Sequence, residues 1–326
     1  MVEKTISERD WRTINERLDA GLCIPFLGAG VNVGGDGLPG LPLGGAVALR
    51  LAADLVTADI KQFEDLAKVE VLNDALKDYP QLLRLELQDL ARVAFHLERA
   101  VDTPHLMQLV RDILTEDECY PSSLLRTLAR LPVPMIVTTN YDRLMERALE
   151  GVQRPYHLVV QPIAGFHPDE LLTVDKEIVA AVAEGKLILY KMHGSFAQNG
   201  AGVGAERIII TEEDYIQFLS VVSNDTIGIP PKIREKMATG TLLFLGYSLE
   251  DWDFRTLFKG TIEKRERYAT FKSFAIQKDP SELWADFWEQ KQVVIYDVDL
   301  HVFARALAQR YAKHRRQQRA KAHGER

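Results

Sequence analysis

Cysteine is nearly absent from this chain, with two thiols, Cys23 and Cys119, in 326 residues. So few cysteines exclude a four-cysteine zinc site and a scaffold built on disulfides. Cys23 stands in the apolar run Leu22–Leu27 and reads as a small core residue. No stretch approaches 18 continuous apolar residues, and no basic segment followed by an apolar one opens the sequence. Neither a membrane span nor a secretory leader is therefore expected, and the expected location is cytoplasmic. No GxxxxGK[ST] loop occurs, so any P-loop ATPase has to come from another chain.

Positive charge is scarce over most of the length. Lys and Arg number 40 against 47 Asp and Glu, a formal charge of −7. Positions 310–326 hold seven of the basic residues and one Glu, which leaves 33 against 46, or −13, on the rest. An acidic body argues against a nucleic-acid-binding main surface and leaves the basic tail as the one polycation-like segment. That tail has three readings: a frayed solubilising end, a contact for nucleic acid or an acidic partner, or packing inside an oligomer. The overall composition, 46% hydrophobic and 27% charged, is that of a globular chain with a sizeable core. Its length fits about two domains, or one large domain with an insertion.

Glycine is concentrated. Eight of 21 fall between Gly28 and Gly45, in GAGVNVGGDGLPGLPLGG. At about 1 kcal/mol each in a helix interior, this density predicts a loop whose backbone turns sharply or approaches something closely. Ahead of it, Trp11, Ile14 and Leu18 share one helical face, with Gly21 placed to end the helix. Beyond it the pattern is helical, over Ala46–Val56, Gln62–Lys77, Leu82–Arg99 and Pro104–Leu114, with no period-2 strand up to Leu131. Short apolar runs follow at Met135–Thr138, Leu187–Tyr190, Leu242–Leu245, Ser273–Gln277 and Val293–Tyr296, interleaved with helical stretches such as Arg143–Leu149 and Glu212–Leu219. Such runs suit the centre of a parallel sheet covered on both faces. The expected fold is α/β, a Rossmann-like doubly wound parallel sheet. Its core is residues 1–45 and 131–300, with an all-helical insertion at 46–130 and a C-terminal helix and basic tail at 301–326.

Four features fall at ends of predicted strands, where an open α/β sheet takes its ligand. Gly28-Ala29-Gly30 follows the first strand and would let a pyrophosphate approach backbone N–H groups. The last glycine of a GxGxxG pattern is missing, Val33 standing in its place, which disfavours a hydride-transferring dehydrogenase. Thr138-Thr139-Asn140-Tyr141-Asp142 ends a second strand. There Asn140 either caps the next helix or holds a ribose hydroxyl or a water near a reacting carbon, and Asp142 supports either role. Lys191-Met192-His193-Gly194 follows a third strand. Its imidazole is either a satisfied structural group or, with an ordinary pKa near 6.5, the best general base in the chain. In Phe244-Leu245-Gly246-Tyr247-Ser248, Gly246 offers backbone access and Ser248 a hydroxyl. Asp251 and Asp253 read as helix-flanking acids rather than metal ligands, since no third ligand is spaced with them.

Taken together, GAG at Gly28–Gly30, GLP at Gly40–Pro42, TTNYD at Thr138–Asp142, KMHG at Lys191–Gly194 and LFLGYSLEDWDF at Leu243–Phe254 resemble the SIR2-like, sirtuin-related family. The resemblance is closest to bacterial members that look like NAD-consuming anti-phage effectors. It implies an NAD-binding Rossmann-like core, with Gly28, Ala29 and Gly30 around the phosphates and Gly246 and Ser248 helping to hold the nucleotide. Asn32 stands where many relatives place serine and keeps hydrogen-bonding capacity on the phosphate side. Asn140 would lie beside the nicotinamide ribose, His193 would match the catalytic histidine, and Asp142 the acid that organises the pocket. The four-cysteine zinc module of sirtuin deacylases has no counterpart here, so no structural zinc is expected and protein deacylation is disfavoured.

The chemistry this leaves is cleavage of the N-glycosidic bond of NAD⁺, with water as nucleophile oriented by Asn140 and assisted by His193. The resemblance further implies a defence role through NAD⁺ depletion and restraint by assembly. The expected partners are further copies of the chain and a separately encoded ATPase/helicase of the HerA type. The alternatives are a non-catalytic subunit that senses NAD or ADP-ribose or serves as a scaffold, and an NAD-dependent deacylase or ADP-ribosyl transferase.

Overall fold

The computed structural model describes residues 5–34, 37, 39–59, 87–115, 119–196, 207–222, 224, 226–249 and 271–324. Helix α1 (Glu8–Asp19) opens at Ser7, whose hydroxyl accepts the Asp10 N–H at 3.1 Å. It closes at Gly21 (φ 63°), where Gly21 N–H donates to Leu18 O at 3.1 Å and Leu22 N–H to Arg17 O at 2.8 Å. This pair of bonds needs a left-handed residue, which glycine adopts at little cost. The chain enters β1 (Cys23–Leu27) directly afterwards, and a 3-10 turn (Ala29–Asn32) follows.

Among the described residues three helices come next, α2 (Gly44–Asp59), α3 (Leu90–Ala100) and α4 (Thr103–Ile113). Gly44 and Gly45, read above as loop, are the first residues of α2. Helix α3 begins at Leu90, inside the predicted Leu82–Arg99, because the Asp89 carboxylate accepts the N–H groups of Ala91 and Arg92 and fixes the start there; positions 82–86 of that prediction lie outside the described residues. The predicted helix Gln62–Lys77 and residues Asp251 and Asp253 lie outside the described residues. Cores of α2, α3 and α4 pack on one another and on Ile208 and Ile210, forming an apolar cluster of their own. Helix α5 (Ser123–Leu128), grouped with these helices in the sequence reading, packs instead into the core beneath the sheet.

The remaining chain alternates: β2 (Met135–Thr138), α6 (Leu144–Glu150), β3 (Tyr156–Val160), α7 (Pro168–Ala183), β4 (Leu187–Lys191), α8 (Glu212–Val222), α9 (Pro231–Thr239), β5 (Thr241–Leu245), β6 (Ser273–Gln277), α10 (Glu282–Gln290), β7 (Val293–Asp297) and α11 (Leu300–Gly324). Among the described residues seven strands form one all-parallel sheet in the order β3-β4-β2-β1-β5-β6-β7. Strand residues alternate between two cores. Phe26, Val137, Tyr190 and Phe244 face one core with α7, α8 and α9, while Leu27, Ile136, Leu189 and Leu245 face the other with α1, α5 and α11. The fold is a Rossmann-like α/β sheet covered on both faces.

Strand β3 was not legible as a strand, since it is one of the two edge strands and largely half-buried. Helix α11 also departs from the expected amphipathic segment with a frayed end, continuing to Gly324. Its path is set by α1, where Asp19 accepts from Tyr311 Oη at 2.7 Å, pairs with His314 at 2.8 Å, and Glu8 takes Arg310 at 2.7 Å.

Candidate active site

Strand register brings four chain ends level. Leu27 of β1 pairs with Thr138 of β2 and with Leu245 of β5, and Thr138 pairs with Lys191 of β4. Gly28, Thr139, Met192 and Gly246 therefore leave the sheet at one height on its C-terminal edge. From β1 the chain runs to the β2 side, and from β5 to the β6 side. The crevice outside two such strands is where open α/β sheets take their ligands.

The glycines at this edge are explained by contact between the two loops. A Cβ on Gly28 would meet Gly246 O at 2.6 Å, and one on Gly30 would meet Gly246 Cα at 2.8 Å. Gly246 itself has φ 61°, and a Cβ there would stand 2.5 Å from Val31 N. Gly28 N–H donates to Leu245 O at 3.1 Å and Gly30 N–H to Gly246 O at 2.9 Å. Both N–H groups thus serve to lock the β1 turn onto the β5 turn. Ala29 is exposed beside them, and so is Ser248 beyond Gly246.

At the end of β2, Thr138 Oγ1 donates to Leu27 O at 3.2 Å and accepts the Asn140 N–H at 3.1 Å. Asn140 Nδ2 then donates to Gly28 O at 3.1 Å, so the amide bridges the two turns and its Oδ1 remains for an incoming group. Asn140 does not cap α6. That work falls to Asp142, whose Oδ1 accepts the Leu144 N–H at 2.9 Å. The other carboxylate oxygen of Asp142 accepts from Asn32 Nδ2 at 2.5 Å, which fixes the orientation of the Asn32 amide.

Asn32, Thr138, Asn140, Asp142 and Glu146 line one cavity of about 10 Å³, room for about one water. Two acceptors there, Asn32 Oδ1 and Glu146 Oε2, have no hydrogen-bond partner among the described residues.

His193 is placed differently. It is buried, its ring edge-on to Tyr215 at 5.4 Å and Phe218 at 5.0 Å on α8, and it does not line that cavity. Burial pushes its pKa down to about 3, so the ring is neutral at any physiological pH. The ordinary value near 6.5 assumed from sequence does not hold in this environment, where aromatic rings replace water. Gly194 (φ 86°) turns the chain sharply after it, and a Cβ there would stand 2.9 Å from Arg207 O.

Two residues at this site were given no role by the sequence. Lys191 and Glu146 form an ion pair at 2.9 Å with both side chains 1% exposed. The signal was available, because a lysine directly continuing the apolar run Leu187–Tyr190 has to bury its charge against a partner. Among the described residues no group of three or more His, Cys, Asp or Glu is placed to hold a metal, and Cys23 and Cys119 are both buried and form no disulfide.

Comparison with known proteins identifies the domain that carries this sheet. The SIR2-like domain is matched over residues 134–296, half of the 326 residues, from the start of β2 through β7. NAD(+) hydrolase ThsA of Cytobacillus dafuensis is 29% identical over 181 residues, covering 55% of this chain and 32% of that protein. Defense-associated sirtuin 2 of Bacillus subtilis is 26% identical over 168 residues, 50% of this chain and 14% of that protein. NAD(+) hydrolase ThsA of Bacillus cereus (strain MSX-D12) is 29% identical over 168 residues, 50% of this chain and 30% of that protein. The chain spans about a third or less of the length of these relatives. β1 and its glycine turn precede the matched span and are joined to it through the Leu27–Thr138 pairing and the Asn140–Gly28 bond. With a parallel sheet whose C-terminal edge gathers these motifs and a matched domain over half its length, this chain belongs to the SIR2-like domain family.

Proposed function

We propose that the chain cleaves NAD⁺ to nicotinamide and ADP-ribose. The observation that supports this is the bond from Asn140 Nδ2 to Gly28 O, which ties the β2 turn to the β1 turn at the C-terminal edge of the sheet and leaves the amide oxygen for an incoming group. Two of the relatives above are named NAD(+) hydrolases, which supports the same chemistry here.

Nicotinamide in NAD⁺ is already a cationic leaving group. What the protein must supply is a fixed ribose, stabilisation of positive character at C1′, and a directed nucleophile. Gly28, Ala29, Gly30, Asn32, Gly246 and Ser248 form the nucleotide-facing rim. With the Gly28 and Gly30 N–H groups committed to β5, the glycines contribute close approach rather than donors. Asn140 Oδ1 accepts from a water or a ribose hydroxyl. Water oxygen bonds to C1′, the C1′–N bond breaks with its electron pair going to the pyridinium nitrogen, and the water proton leaves to solvent. A neutral His193 acts in this scheme as a hydrogen-bonding group for the ribose, and Asp142 holds Asn32 and the start of α6 in place. No metal enters the scheme.

The biological reading is bacterial defence against phage through NAD⁺ depletion, in keeping with the relative named defense-associated sirtuin. Under it the protein acts in the cytoplasm as a homo-oligomer, with a HerA-type ATPase as the partner that controls it. The exposed basic end of α11 is the surface for nucleic acid or an acidic partner. Among the described residues no helix is long and apolar enough to cross a membrane.

One observation favours a second reading. His193 is sealed among aromatics and the cavity at Asn140 holds about one water, which also fits a subunit that binds nucleotide without turnover. Nicotinamide release from NAD⁺, measured for the purified chain alone and with its partner ATPase, separates the two. The hydrolase reading expects release that falls at least about 100-fold in Asn140→Ala and in His193→Ala. Equal, negligible release by wild type and both variants in every setting would refute it and leave the sensor.

A further inference from the structure

Lys191 ends β4 with its ammonium inside the protein. Its Nζ donates to four acceptors: Glu146 Oε1 at 2.9 Å, Ser195 Oγ at 3.0 Å, Tyr141 O at 3.3 Å, and Asp142 O. Only Glu146 among these is charged. Two of the others are backbone carbonyls of the turn that carries Asn140 and Asp142, and the third is a hydroxyl on the turn that carries His193. A second stitch joins the same two turns, with Phe196 N–H donating to Tyr141 O at 3.1 Å.

Stability alone does not account for such a pair. Desolvating two charges costs about as much as their attraction returns, and replacing a buried ion pair with apolar groups of similar volume is often neutral. An ammonium does have one property that this place requires. It is a compact charge with three rotatable donors, able to gather acceptors arriving from several directions, whereas the donors of a guanidinium are confined to one plane.

We propose that Lys191 is a positioning residue for NAD⁺ cleavage: it locks the 141–142 backbone and the 193–195 turn against each other, so that Asn140 and His193 address one substrate. Glu146 neutralises the ammonium and lets it sit there. The inference rests on the activity proposed above, and its test is arranged so that the two can fail separately.

The main variant is the double substitution Lys191→Met with Glu146→Leu, which removes both charges and keeps the volume. Three quantities are measured: thermal stability, kcat and KM for nicotinamide release, and hydrogen exchange of the backbone amides at 139–144 and 193–196. The expected result is a melting temperature close to wild type, kcat lowered at least 100-fold with KM within about threefold, and exchange in both turns at least tenfold faster. A purely structural pair would instead give wild-type kcat once stability is preserved, and that outcome overturns the proposal. Ser195→Ala provides an independent arm, since it removes one acceptor without stranding a charge. It should lower kcat about tenfold and speed exchange at 193–196, and wild-type values for both would overturn the proposal even were the double variant unfolded. Absence of nicotinamide release by the wild-type protein defeats the NAD⁺-cleavage reading, while the exchange data still decide whether Lys191 holds the turns together.

Discussion

Gly246 and Gly21 share a backbone conformation and differ in surroundings, which makes them a matched pair for testing the proposed junction. Their φ angles are 61° and 63°, both left-handed. A Cβ at Gly21 would meet nothing within 4 Å, whereas one at Gly246 would stand 2.5 Å from Val31 N and 2.6 Å from Gly30 C. Alanine at either position incurs left-handed strain of about 1–2 kcal/mol. At Gly246 the backbones of two turns must also separate, an overpacking cost of about 1–3 kcal/mol more. A melting temperature of a chain this size moves about 1.5 °C per kcal/mol. Gly21→Ala should therefore lower it by about 2–3 °C, and Gly246→Ala by about 3–7 °C. The functional contrast should be sharper. Separating the turns moves the carbonyl of Gly28, to which Asn140 is tied at 3.1 Å, so Gly246→Ala should lose nicotinamide release while Gly21→Ala retains it. Scanning calorimetry and NAD⁺ turnover on the two variants decide the matter. Equal losses in both measurements would show that the close approach of the β1 and β5 turns does not hold the site together.

The buried imidazole predicts a dependence of stability on pH. Unfolded His193 takes up a proton as pH falls below about 6.5, but burial holds its folded pKa near 3. Between those values the unfolded state binds the extra proton, so its contribution is fully present above about pH 6.5 and declines as pH falls toward 3. The slope reaches up to about 1.4 kcal/mol per pH unit. Melting curves from pH 7.5 to 5 should therefore be steeper for wild type than for His193→Asn, and parallel curves would contradict the assignment. Cys23 supplies a simpler check, because burial pushes its thiol up to about 12. It should resist a disulfide reagent at pH 8 in the native protein and react once the chain is unfolded in urea, which thiol titration with peptide mapping will show.

The central strands were readable because residues covered on both faces leave a continuous apolar signal, as in Met135–Thr138 and Ser273–Gln277, whose limits agree with the structure. β3 left no such signal. In Tyr156–Val160 only Val159 is fully buried, and an edge strand carries a partly polar pattern that a loop shares. The chemistry-bearing residues were legible as motifs, but their tasks were not. Asn140 and Asp142 are two residues apart and either could have capped α6. Their division of labour follows from the position of Gly28 O and Asn32, which are over 100 residues away along the chain.

Residue order alone accounts for the parallel sheet, the dense glycine turn after β1, and the coincidence of Asn140, His193 and Gly246 with strand ends. These are local properties, set by hydrophobic pattern, glycine and the short range of turn chemistry. What folding added is set by distance across the sheet. The strand order, and so the meeting of the β1 and β5 turns, depends on pairings between segments more than 200 residues apart, such as Leu27 with Leu245. The protonation state of His193 depends on two aromatic rings from α8, and the role of Lys191 on a carboxylate 45 residues earlier. Desolvation and charge pairing act through space, so the protonation state of His193 and the identity of the partner of Lys191 could not be read until the turns were brought together.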